Sequence, residues 1–368
     1  MSLPAPLAEK HARLLEGLGR LGFDGALLGT RAWFAWATDG RVNRILNSSP
    51  DGVAGLLVTA NGVACLTNTI EAPRFRYEEL VGLDIPVVEF PWHDAAARRR
   101  VCDDALRGRR LAADTDLFGL GLPALPADVL PLRWALTPRE QDRYRVGGRL
   151  ASEAMEAACR ALRPGISEHE VAGRLAYEMH ARGLNPVVTL VAADDRLERY
   201  RHPIPTEHRL RQVVMLVSCT EFGGLISNLT RLVHFGPVPT ELTRRHRAVC
   251  EVDAGVISAT KPGKRLGDIF GVLQKAYAEQ GFGSEWTLHH QGGSTGYASR
   301  EVIATPASQE KVLAGQAFAW NPSITGTKSE DTVLVGPGGV IEVLTAKSAD
   351  WPGVATRGGL ERPGILEL

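Results

Sequence analysis

His202, in the run His202-Pro-Ile-Pro-Thr206, carries an imidazole. That side chain both takes and gives a proton near neutrality, because its ordinary pKa lies at about 6.5. Further along, His289 and His290 stand side by side at the head of HHQGGSTG, Arg300 precedes Glu301, and Glu330 sits between Lys328 and Asp331. The amides Asn228 and Asn321 and the guanidinium of Arg231 complete this polar set. Each also has a plainer reading. Asn228 and Asn321 could be buried amides satisfied by backbone, and Glu330 could belong to a strand-surface charge cluster. Of His289 and His290, at least one should face away from a cavity, since neighbouring strand residues point to opposite sides. His208 and His234 fall in no motif and read as surface or packing histidines.

These residues need a scaffold, and 368 residues are too many for one core, which stops growing at roughly 250–300 residues. Two domains are expected, 1–136 and 137–368. In the first, Leu7–Leu21 reads as a helix, Ala26–Leu28 as a strand, and GLLVT-AN-GVACLT as a hairpin turning at Asn61-Gly62. Ile85–Phe90 and Arg110–Ala113 add short strands, giving a small α/β domain. Two capping boxes then open long helices, Thr137-Pro-Arg-Glu140 and Ser167-Glu-His-Glu170.

The second domain repeats itself. Arg163-Pro-Gly, Glu170-Val-Ala-Gly173 and Gly183-Leu return as Lys261-Pro-Gly, Asp268-Ile-Phe-Gly271 and Gly281-Phe; Lys261 follows Arg163, and Gly281 follows Gly183, by the same 98 positions. Extended runs follow each copy, the second ending in DTVLVGPGGVIEVLT with a turn at Gly338-Gly339. Two helix-plus-antiparallel-strand halves set face to face would form one curved sheet backed by helices, with a site on its concave face.

Bulk composition excludes several functions. Lys plus Arg equals Asp plus Glu at 42 each, so the chain lacks the basic excess of a nucleic-acid binder. No run approaches the roughly 18 apolar residues of a membrane span, and the amphipathic start does not read as a signal peptide. Five cysteines, without a CxxC, fit a reducing cytoplasm better than a disulfide framework.

The motifs resemble those of the prolidase, aminopeptidase P, methionine aminopeptidase and creatinase superfamily. His202–Thr206 is similar to its H-x-x-P-T, Asn228-Leu-Thr-Arg231 to D-x-T-R, and HHQGGSTG to H-x-x-x-H-x-x-G. GQAFAWNP (315–322) resembles G-M-x-x-x-x-E-P, and Lys328-Ser-Glu-Asp331 resembles R-x-E-D. The resemblance implies an α+β pita-bread domain with internally duplicated halves, preceded by a smaller creatinase-like α/β domain. It also implies a homodimer in which Trp33, Trp36 or Arg41 of one subunit reaches the other's pocket.

The family's two metal ions are held by two Asp, a His and two Glu, and these positions fall on Val217, Asn228, Gly293, Asn321 and Glu330. Glu330 alone is unchanged. Val217 and Gly293 bring no donor and the two amides no charge, which argues against a bound pair of hard ions. Reinstating Asp, Asp, His and Glu at the other four positions together is expected to restore metal binding.

The resemblance to creatinase, which works without metal, assigns His202 as general acid/base and Glu330 as a catalytic group that binds a cationic or amide portion of the substrate. Asn228, Arg231, His289, Arg300, Glu301 and Asn321 would then contact substrate. The family histidine after H-x-x-x-H-x-x-G falls on Arg300, which with Arg231 favours a carboxylate-bearing ligand. Creatine itself is disfavoured, because creatinase's substrate-binding glutamate falls on Thr230. Three readings follow. The first is a metal-independent hydrolase or lyase acting on a small amino-acid derivative or dipeptide, with no cofactor. The second is a non-catalytic small-ligand binder. The third is an Xaa-Pro dipeptidase holding one divalent ion such as Mn or Zn through His202, His289 and Glu330.

Overall fold

The computed structural model describes residues 4–368, which divide into two compact units, residues 1–133 and 134–368. In the first unit, α1 (Ala5–Arg20), β1 (Gly25–Thr30), α2 (Arg31–Ala37), β2 (Asp51–Thr59), β3 (Gly62–Asn68), β4 (Val87–Phe90), α3 (Ala95–Leu106) and β5 (Leu111–Ala113) build a mixed five-stranded sheet in the order β4-β3-β2-β1-β5. The hairpin turns at Ala60-Asn61, where Thr59 pairs with Gly62. Trp33 and Trp36 lie in this unit's core, 2% and 1% exposed, packed edge to face at 5.2 Å. They are thus unavailable to reach into a partner's pocket, contrary to the sequence expectation.

The second unit opens with α4 (Pro138–Arg160) and α5 (Glu168–His180), and both capping boxes form as the sequence reads. Next come β6 (Asn185–Ala193), β7 (Val213–Phe222) and β8 (Leu225–His234), then α6 (Thr240–Ala259) and α7 (Leu266–Glu279). The chain continues through β9 (Gly292–Thr295), β10 (Val302–Ile303), β11 (Gln316–Trp320), β12 (Asp331–Val335), β13 (Ile341–Val343) and β14 (Ile365–Glu367).

The 98-residue offset has a backbone counterpart: α7 begins 98 residues after α5. Gly165 and Gly263 both sit at positive φ (92° and 84°), as do Gly183 and Gly281 (73° and 81°), conformations that glycine adopts without a Cβ clash. Gly165 N–H donates to Leu210 O at 2.7 Å, and Gly263 N–H to Val312 O at 2.9 Å. Each Pro-Gly turn thus ties its helix pair to the strand region that follows.

The strands do not merge into one curved sheet. Among the described residues they form a four-stranded sheet, β14-β8-β7-β6, and a five-stranded sheet, β10-β9-β11-β12-β13. The two abut where Thr230 N–H donates to Glu330 O (3.1 Å) and Asn228 N–H donates to Thr332 Oγ1 (2.7 Å). That Thr332 side chain takes the place of a ladder carbonyl.

Residues alternate across each strand. Val214, Leu216, Leu229 and Val233 pack against α4 and α5, while Phe318, Trp320, Val333 and Val335 pack against α6 and α7. The opposite, concave faces carry the candidate site. No helix among the described residues is long and apolar enough to cross a membrane.

Candidate active site

The floor of the concave face is an ionic cluster around Glu330. Its Oε2 accepts from Lys328 Nζ at 2.7 Å and from Thr230 Oγ1 at 2.8 Å, and its Oε1 accepts from Arg300 Nη2 at 2.9 Å. Burial would raise this carboxyl's pKa, but the Lys328 ammonium and Arg300 guanidinium outweigh burial and hold it at about 2. The floor therefore carries two positive charges and one negative, a net positive centre at neutral pH. Lys328 was legible as a partner of Glu330, because residues two apart on an extended chain share a side.

Above the floor, His202, His289 and His290 converge, with nitrogens that all lie within 4.8 Å of one another. His289 Nε2 and His202 Nε2 are 2.9 Å apart, so one ring donates and the other accepts. The rings of His289 and His290 stack at 4.5 Å, and that of His202 lies 4.8 Å and 5.6 Å from them. Both adjacent histidines join the cluster because they precede β9, where strand alternation does not yet apply.

Burial, reinforced by Lys328, pushes His289 down to about 2; burial and then Arg300 bring His290 to about 4. His202 is lowered from its ordinary value by burial and by Lys328. All three rings are neutral at pH 7.

The remaining sequence candidates divide. Asn228 is fully buried; its amide nitrogen donates to Ile226 O (3.2 Å) and Thr295 Oγ1 (3.0 Å), so its Oδ1 points elsewhere, buried and without a donor among the described residues. Asn321 Oδ1 is likewise buried and unmet. Glu301 lies beside Gly296, and its N–H donates to Ser294 O at 2.8 Å.

Arg231 is a correction. It falls one residue out of phase with Asn228 and Thr230, is fully buried, and binds Asp331 Oδ1 (3.0 Å), Thr345 O (2.8 Å) and Thr230 O (2.8 Å). It belongs to an internal network in which Arg362 also pairs with Asp253 and Asp331 at 2.8 Å, so it cannot orient a substrate. His234 is buried against Gly236 O and His208 lies near Asp194, consistent with packing and surface roles.

The sequence matches the model of metallopeptidase family M24 over residues 142–337, more than half of the chain. The chain belongs to family M24. An uncharacterized peptidase of Staphylococcus aureus strain MW2 is 27% identical over 216 residues, 56% of this chain and 61% of the relative; the chain thus spans less than two thirds of that protein's length. An Xaa-Pro dipeptidase from Bacillus anthracis has the same fold, with a TM-score of 0.77 and 19% identity over 98% of this chain and 100% of the other. A prolidase from Pyrococcus horikoshii OT3 superimposes equally well, with a TM-score of 0.77 and 19% identity over 93% and 99%. These solved structures show that the fold is the pita-bread architecture.

The residues present do not fit the M24 metal pair. Val217 packs with Leu190, Met215 and Leu232 in an apolar cluster. Gly293 has φ 152°, and a Cβ there would meet Val302 O at 2.1 Å. A His at 293 therefore requires β9 to move away from β10, which weighs against the expectation that four reinstated ligands restore metal binding. Both oxygens of Glu330 are occupied by side-chain cations, so it is not a free ligand for a single substitute ion either.

Proposed function

We propose that the protein hydrolyses the C–N bond of a small, carboxylate-bearing amino-acid derivative or dipeptide, with imidazole rather than the M24 metal pair carrying the proton. The observation that carries this reading is the saturation of Glu330 by Lys328 and Arg300. The net positive floor favours a substrate carboxylate, and it opposes the negative charge that gathers on the carbonyl oxygen as water attacks. A neutral His202 can take the proton from the attacking water and return it to the departing nitrogen as the C–N bond breaks. Its hydrogen bond to His289 lets that proton pass between two rings without entering bulk water. The dipeptide end of the substrate range rests on what the similar Xaa-Pro dipeptidase and prolidase are called.

The test is amine release from a panel of dipeptides and N-acyl amino acids by protein stripped with chelator. Turnover without added metal is expected, and His202→Ala should lower it by about 100-fold or more. Full activity in His202→Ala, or turnover that appears only with added ions, sinks the proposal. Saturable binding without product marks a binding protein instead.

A further inference from the structure

We propose that His202, His289 and His290 form a mononuclear site for a nitrogen-preferring divalent ion such as Zn2+, at positions different from the M24 ligands. The inference goes beyond the hydrolytic reading and does not rest on it. Three imidazoles supplied by two chain segments, with nitrogens within 4.8 Å of one another, can supply three ligands of a tetrahedral ion and leave the fourth to solvent. The set contains no carboxylate. It therefore disfavours Mg2+, Ca2+ and Mn2+, which prefer oxygen, and favours Zn2+, Ni2+ or Cu2+, which imidazole suits.

Both segments are held by groups other than the histidines, so the ligands are ordered on folding and not at the ion's arrival. Next to His202, Arg201 reaches across to Glu285 (2.6 Å) and Thr325 Oγ1 (2.9 Å). Glu285 also accepts from Thr325 N–H at 3.0 Å, four residues before His289. Gln291 Nε2 donates to His289 O at 2.6 Å and to Trp286 O at 3.2 Å, and Gly292 N–H donates to His290 Nδ1 at 3.3 Å. His202 is exposed at the rim, which gives an ion from solvent a path.

Coordination replaces the Nε2 to Nε2 hydrogen bond of His202 and His289; the shared proton moves to Nδ1 of its own ring, leaving both lone pairs on the ion and no net charge change in the rings. His290 likewise gives up the Gly292 N–H or changes tautomer. Lys328 and Arg300 oppose the incoming charge and Glu330 offsets part of it, which further selects ions whose bonds to nitrogen are strong. A bound ion occupies the His202 lone pair, so it suppresses the proton transfer proposed above.

The experiment titrates chelator-stripped, full-length protein with Zn2+ against a chromophoric chelator, alongside melting curves with and without the ion. One Zn2+ per chain is expected, with a melting temperature raised by the ion. His289→Ala and His290→Asn should each weaken binding by about 10-fold or more and lose the thermal shift. His208→Ala, which removes a histidine outside the cluster, should leave both unchanged. His290→Asn retains an acceptor for Gly292 N–H, and its metal-free melting curve confirms folding. No binding in the micromolar range, or binding that survives His290→Asn, overturns the site. Zn2+ binding combined with turnover that requires Zn2+ would remove the metal-independent reading and leave this site standing; loss of binding with turnover intact does the reverse.

Discussion

The two copies within the second unit share a backbone plan and differ in what they turn toward the cavity. In the first copy, Leu190, Met215, Val217 and Leu232 make a buried apolar cluster. In the second, Lys328, Glu330, Arg300, His289 and His290 make an ionic and imidazole-rich one. Behind it, Asp253, Arg362, Asp331 and Arg231 form a buried ion network. The shared elements are capped helices and left-handed glycines, which backbone geometry demands; the cavity faces carry no such demand and have diverged. His202, Thr230 and Arg231, contributed by the first copy, join the chemistry of the second.

If the second copy depends on ion pairs, breaking them should hurt most. Arg362→Ala leaves Asp253 and Asp331 buried without that partner, and should lower the unfolding free energy by about 3–5 kcal/mol in urea titration. Removing Arg149 on α4, whose pair with Glu153 is exposed, should change it by less than about 0.5 kcal/mol. Equal losses would erase the contrast.

Acid should also strike the second copy first. His246 in α6 is buried between Thr327 Oγ1 (2.7 Å) and Pro363 O (2.9 Å), and burial lowers its pKa to about 4. The unfolded chain takes up this proton near pH 6.5 and the folded chain only near 4. Stability is therefore full above about 6.5 and falls by roughly 3 kcal/mol as pH drops toward 4. Glu330, whose folded value is about 2, adds a loss only below about 4.5. Urea midpoints measured from pH 8 to 4 should decline, and His246→Gln should make the decline shallower without abolishing it, because His289 and His290 are also lowered and keep contributing; a flat wild-type curve contradicts the assignment.

The next effect is kinetic. The about 100-fold loss expected of His202→Ala corresponds to about 2.7 kcal/mol of barrier, and His289→Ala should cost less, because in the proposed mechanism it only relays the proton taken by His202. A His289 loss equal to or larger than that of His202 would move the proton carrier into the second copy.

Among these sites a smaller effect is expected at Gly293. Gly293→His alone should destabilise the fold by about 2 kcal/mol. The fourfold variant with Val217→Asp, Asn228→Asp and Asn321→Glu should lose more, because Val217→Asp buries a charge among apolar side chains, and neither should restore a pair of ions. Two ions per chain in the fourfold variant, measured by elemental analysis, would show that β9 yields more easily than its contacts indicate.

Much of this architecture was legible in the sequence because it rests on local rules. Thr137 and Ser167 announce helix starts through their own side chains, and the 98-residue offset survives in glycines that need positive φ. The site was legible as a set of positions, His202, Glu330, Arg300 and Asn228 among them, but not as a set of contacts. Arg231 was misread because whether a strand residue faces cavity or helix depends on register, which the D-x-T-R resemblance does not convey. His290 was misjudged because the strand begins two residues later, at Gly292. The split into two sheets turns on Thr332 accepting the role of a backbone carbonyl, a tertiary choice without a local sequence mark.

The glycine at 293 also bears on how such a site can change over time. With Val302 O at 2.1 Å from where a Cβ would sit, the closely nested strands β9 and β10 act as a ratchet. A lineage that has drawn these strands together cannot regain a histidine ligand there by one codon change, because the intermediate must first part the strands and lose their pairing. A side chain at Asn228 or Asn321 can be exchanged without parting strands, whereas one at 293 requires β9 and β10 to separate first.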